Sequence, residues 1–188
     1  MELCRQAIDL IVAEANARTY TPAYLLEFGS GKSTAAFVER TKAIIDSFDH
    51  NPNYACNVRN DRLTVRIRGL VQWSDDQYEG MFTLGIPLRD GESAINETGH
   101  TRAHNCFYDI ANCDLKDYYD ICVLDGPFGN GRSVAFLHLR GRMHAGGLIL
   151  IDDYDHYPFL DDLRRVARCE LDISTHGDYA VARLLGTF

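Results

Sequence analysis

Apolar residues at Leu3, Ala7, Ile8, Ile11, Val12 and Ala15 recur every three or four positions and predict a leading helix within residues 1–20. Tyr24 to Phe28 is a short apolar run, with Pro22 before it and Gly29-Ser30-Gly31 after it. That punctuation predicts a strand, a tight turn and a helix from about Lys32 to Thr41. Ala43 to Phe48 then reads as a second strand, which closes a parallel βαβ unit. Asn53 to Asn60 suits a short helix, and Leu63 to Arg68 alternates apolar with polar residues as a third strand would. From Gln72 to Lys116 the periodicity fades, which predicts an irregular insertion over 72–116. Order returns at Tyr119 to Leu124, a buried-type strand, followed by helical spacing from Val134 to Met143 and a strand from Leu148 to Ile151. Phe159 to Cys169 is amphipathic. Leu171 to Ile173 and Tyr179 to Leu185 predict two closing strands, made antiparallel by the Gly177-Asp178 turn.

These elements define an α/β chain, a single domain over residues 1–188. Its sheet is open and mostly parallel, with helices on both faces and a C-terminal antiparallel hairpin. Ligands of such sheets sit at the carboxyl ends of the strands. Candidate chemistry is therefore sought in Glu27 to Thr34, Asp49 to Asn51, Asp125 to Arg132 and Asp152 to His156.

Composition narrows the function classes. Hydrophobic residues at 46% and charged residues at 24% exclude a disordered or fibrous chain. Asp and Glu number 27 against 19 Lys and Arg, and the net charge of -8 argues against a nucleic-acid partner. The six cysteines are scattered without C-x-x-C spacing, which suits reduced thiols and a cytoplasmic location. No apolar run approaches the roughly 18 residues of a membrane span. A homo-oligomer stays open.

Three motifs compete for attention. Gly29-Ser30-Gly31-Lys32-Ser33-Thr34 carries the Gly-Lys-Ser tail of a phosphate-binding loop, but the glycine required five positions before Gly31 is Leu26, so the turn is short for a triphosphate. Asn51-Pro52-Asn53-Tyr54 is similar to the Asn-Pro-Pro-Tyr signature of amino-methyltransferases, yet it follows the second strand rather than the fourth. His100 and His104 have metal-ligand spacing if helical, with no third ligand to complete a zinc site.

Glu27-x-Gly29-x-Gly31 at the end of the first strand resembles motif I of the class I S-adenosylmethionine-dependent methyltransferases, a Rossmann-like family. Asp49 falls 20 residues after Gly29, at the end of strand two, where an acid can accept both ribose hydroxyls of a nucleotide cofactor. The run from Tyr119 to Tyr154 is similar to the second half of small-molecule and sugar O-methyltransferases. The resemblance implies strand order 3-2-1-4-5-7-6 and S-adenosyl-L-methionine as cofactor. It places Glu27, Gly29, Ser30, Gly31, Ser33, Asp49, His50 and Asp125 on that cofactor. It also implies a small-molecule or sugar acceptor, with Asp125, Asp152 and Asp153 able to hold Mg2+ or another divalent cation. Without a metal, Asp125, Asp153 or His156 would serve as general base. The plain alternative for Asp152 and Asp153 is a strand end capping the next helix. Arg132 reads either as a fork for an anionic acceptor or as a solvated helix residue.

Overall fold

The computed structural model describes residues 3–18, 21–94, 104–173 and 178–186. Helix α1 (Arg5–Asn16) leads into β1 (Tyr24–Phe28), α2 (Lys32–Arg40), β2 (Ile44–Asp49) and β3 (Leu63–Ile67). Then come β4 (Leu70–Gln72), α3 (Asp75–Leu84), β5 (Glu92–Ala94) and β6 (Cys106–Tyr108). The chain continues through β7 (Ile121–Leu124), α4 (Val134–Leu139), β8 (Leu148–Asp152), α5 (Phe159–Val166), β9 (Cys169–Ile173) and β10 (Tyr179–Leu184).

Seven strands form one sheet in the order β3-β2-β1-β7-β8-β10-β9. Counted within that sheet alone, this is the expected order 3-2-1-4-5-7-6. The pairs β1–β2, β2–β3, β1–β7 and β7–β8 are parallel, whereas β10 runs antiparallel to both β8 and β9. Burial on both faces explains why the central strands read as unbroken apolar runs. Alternation within them divides the core: Leu25, Ile45, Val123 and Leu150 pack with α1 and α2, while Leu26, Phe28, Leu124 and Ile151 pack with α4 and Phe159 of α5.

The expectation of an irregular insertion over 72–116 is corrected. Ser74 caps α3, its Oγ accepting from Gln77 N while Gln77 Oε1 accepts from Ser74 N. Strand β4 pairs antiparallel with β5 and β6 in a second, three-stranded sheet. Trp73, Tyr78, Met81, Phe82 and Phe107 bury against the α4 face of the main sheet. The expected helix over 53–60 is a turn instead, held where Asn51 O accepts from Tyr54 N and Ala55 N. Residues 95–103, which include His100, and the Gly177 side of the hairpin turn lie outside the described residues.

Candidate functional site

The loops after β1 and β7 meet at the point where the strand order reverses, the place such sheets offer a ligand. Phe48 O accepts from Gly29 N (2.9 Å) and Ser30 N (3.0 Å), and Phe28 O accepts from Asp125 N (2.8 Å) and Gly126 N (2.7 Å). Both turns are thereby tied to neighbouring strands. Gly29 has φ +102, and a Cβ there would lie 2.8 Å from Asp125 C and Gly126 N. Only glycine allows this close approach.

Around the junction opens a cavity of about 470 Å³, lined by Gly29 to Ser33, Asp49, His50, Tyr108, Asp125 to Phe128, and Asp153. Its size lies within the roughly 300–1,000 Å³ of small-molecule sites. The expected residues Gly29, Ser30, Gly31, Ser33, Asp49, His50, Asp125 and Asp153 come together on its wall. Asp49 Oδ1 accepts from Asn51 N at 2.7 Å, and burial raises its pKa. Glu27 lies behind the wall, fully buried. Ser33 Oγ donates to its Oε1 (2.6 Å), and Thr34 Oγ1 (2.5 Å) and Ser47 Oγ (2.7 Å) donate to its Oε2. Burial outweighs these three bonds and raises its pKa. Thr34 Oγ1 also accepts from Gly31 N at 2.8 Å, so Glu27 fixes the glycine turn through an intermediary.

The turn before α2 spans only Gly29 to Gly31, in keeping with a loop too short to wrap a triphosphate. Lys32 is exposed on the cavity rim. His104 Nε2 lies 2.8 Å from Asp75 Oδ1 on an exposed surface and is not among the residues lining this cavity.

Asp125, Asp152 and Asp153 were expected to form a metal-ligating set. Asp125 and Asp152 instead share a side-chain hydrogen bond. Burial, with each acid beside another carboxyl, raises both pKa values, so the pair retains a proton beyond the ordinary carboxylate range. Asp153 takes a left-handed backbone, φ 51, and its Oδ2 is 4.0 Å from His156 Nδ1. Among the described residues no group of three His, Cys, Asp or Glu is placed to hold a metal ion.

Arg132 is neither solvated nor turned to an acceptor; it is 3% exposed. Its guanidinium donates to Asp152 O (2.6 Å), Pro127 O (3.2 Å) and Asp125 O (3.2 Å), and sits 5.4 Å from the Phe159 ring centroid. A fixed cation thus staples the ends of β7 and β8 beside the carboxyl pair.

Tyr108, which the sequence did not single out, also lines the cavity. Its hydroxyl is 2.7 Å from where a Gly126 Cβ would be. The side chain is buried, and no hydrogen bond to its hydroxyl occurs among the described residues. Burial and the neighbouring Asp49 and Asp125 hold its pKa well above that of a free phenol, so it stays an O–H donor. It reaches the site through β6, whose Tyr108 pairs with Leu70 of β4.

No protein-family model and no curated sequence matches the chain. Solved structures do resemble it. A methyltransferase-like protein from Silicibacter pomeroyi aligns over 98% of this chain and 88% of its own at 14% identity, TM-score 0.52. The methyltransferase MycE of the mycinamycin biosynthetic pathway, in complex with Mg, SAH and mycinamycin VI, aligns over 95% of this chain at 11% identity, TM-score 0.51. The chain spans 46% of MycE, less than half its length. The N-methyltransferase NodS from Bradyrhizobium japonicum aligns over 98% of this chain and 96% of its own at 11% identity, TM-score 0.50. The chain has the class I, Rossmann-like fold of the S-adenosylmethionine-dependent methyltransferases.

Proposed function

We propose that the chain transfers the methyl group of S-adenosyl-L-methionine to a hydroxyl of a small molecule or sugar. The observation that carries this reading is the single cavity shared by the glycine turn after β1, Asp49 at the end of β2 and Asp125 at the end of β7. A nucleoside fits Asp49 through its ribose hydroxyls, and the Gly29–Gly126 contact lets a ligand approach the backbone. The net charge of -8 supports a small acceptor over a nucleic acid.

When bound, the cofactor supplies an electrophilic methyl on a sulfonium. The protein's part is to align the acceptor oxygen with it, exclude water and take the hydroxyl proton. Asp125 is the base in its ionised form, reached above the range in which the pair keeps its proton: it lines the cavity, and a raised pKa strengthens its carboxylate as proton acceptor. With the cofactor bound, the Asp125 carboxylate would take the proton that the acceptor hydroxyl gives up on methylation, and S-adenosylhomocysteine would leave as the product. Tyr108 donates to a ligand atom over Gly126. Asp153 flanks the site, whereas His156 is half exposed and off the cavity wall. The helix and small sheet of the insertion shape the acceptor side.

Radiolabelled methyl transfer tests the reading: a panel of phenols and sugars should include an acceptor whose turnover falls at least a hundredfold in Asp125→Asn with cofactor affinity retained. Loss of cofactor affinity alone, with turnover of bound complex unchanged, would remove Asp125 from the chemistry.

A further inference from the structure

A second cavity, of about 610 Å³, lies between the segment following α3 and the C-terminal end of α4. Tyr108 belongs to the walls of both cavities and marks their boundary. Trp73, Ile86 and Leu137 give the second cavity apolar surface, and Arg89, Arg140 and Arg142 give it charge. Asp109 is the one carboxylate among its lining residues. Such a concentration of cations is unusual in a chain of net charge -8.

Among the described residues these charges are not paired with carboxylates. Arg140 Nη1 donates to the neutral Gly85 O, Arg142 Nη1 donates to His138 O at 3.0 Å, and Arg89 is exposed with no side-chain partner among the described residues. Independently, three residues of the same wall carry buried polar atoms without a hydrogen-bond partner: Trp73 Nε1, His138 Nδ1 and Arg142 Nε. His138 is 6% exposed, its ring stacked at 5.9 Å on Phe107, and burial beside Arg142 lowers its pKa to about 4. The imidazole is therefore neutral near pH 7. Apolar walls with a few convergent polar groups are the usual make-up of a small-molecule site.

We propose that this cavity binds a small organic anion, a carboxylate carried on an aromatic body, at a site separate from the methyl-transfer cavity. The arginines receive the carboxylate and the Trp73 side receives the ring. The inference does not depend on the methyl-transfer reading.

Trp73 is the chain's single tryptophan, so its emission reports on this wall directly. The full chain is titrated with 4-phenylbutanoate and with 4-phenylbutanol, the neutral analogue. The carboxylate should give a saturable emission change with affinity at least tenfold above that of the alcohol. That affinity should fall at least tenfold in Arg142→Gln and in Arg89→Gln. Arg89 has no side-chain partner among the described residues, so its variant should keep the parent melting temperature and the parent affinity for S-adenosylhomocysteine. No saturable change, an equal response to the alcohol, or carboxylate affinity within twofold of the parent in both variants would overturn the proposal.

Discussion

Tyr108 and Asp49 make different demands on the same cavity, and each can be separated from folding. Tyr108→Phe removes a hydroxyl that bonds nothing among the described residues, so the free energy of unfolding should stay within the scatter of a neutral substitution, about 0.5 kcal/mol. Methyl-transfer kcat/KM should nevertheless fall about tenfold, the value of one hydrogen bond to the reacting complex. Asp49→Ala should weaken S-adenosylhomocysteine binding by about 1.5–3 kcal/mol, the range for charge-assisted bonds, read by calorimetry; unchanged affinity would remove Asp49 from the ribose. Asp49 was legible in the sequence because its spacing from Gly29 is local to one βαβ unit. Tyr108 was not, because its position depends on β6 pairing with β4 across more than thirty residues and then laying a ring over Phe28, 5.9 Å between centroids. Glu27 was legible as an acid at the turn. Its three hydroxyl donors were not, since Ser47 comes from the neighbouring strand.

Among elements, the join between β7 and β8 carries the proposed base. Arg132 bonds carbonyls from both strand ends, and Arg132→Ala would leave the Asp125–Asp152 pair without its buried cation. We expect a loss of about 3–5 kcal/mol in denaturant unfolding, the usual effect of removing one partner from a buried charge cluster. The pair itself predicts a pH profile. The Asp152 charge helps hold the Asp125 pKa up, so the acid limb of kcat/KM should move to lower pH in Asp152→Asn; a limb that stays in place would assign the base elsewhere. Strands β1, β2, β7 and β8 and helices α1, α2 and α5 were all readable from periodicity and glycine punctuation, because their apolar faces pack on adjacent segments. The insertion hid its helix and small sheet. Its strands have three residues each, too few to show alternation, and α3 has Asp75, Asp76 and Glu79 interleaved with Tyr78, Met81 and Phe82.

At the scale of the whole molecule, buried acids set how stability varies with pH. Glu27, Asp49, Asp125, Asp152 and Asp162 all have raised pKa values, chiefly from burial. The native state thus keeps protons that the unfolded chain releases above its ordinary values of 3.8 for Asp and 4.5 for Glu. Their contribution is fully present below those values and is lost as pH rises through the native ones. Asp114, lowered by Arg68, acts oppositely and loses its contribution as pH falls through its native value. The melting temperature should therefore peak on the mildly acidic side and decline toward neutrality; a steady rise from pH 5 to 8 would contradict this. The central claim, that the cavity over β1, β2 and β7 takes the adenosyl cofactor and not a triphosphate, is tested most directly by calorimetry of the full chain with S-adenosylhomocysteine and with Mg-ATP. The account predicts saturable binding of the first, lost in Gly126→Ala, and none of the second. Binding of Mg-ATP that Lys32→Ala abolishes, with no heat from S-adenosylhomocysteine, would contradict it.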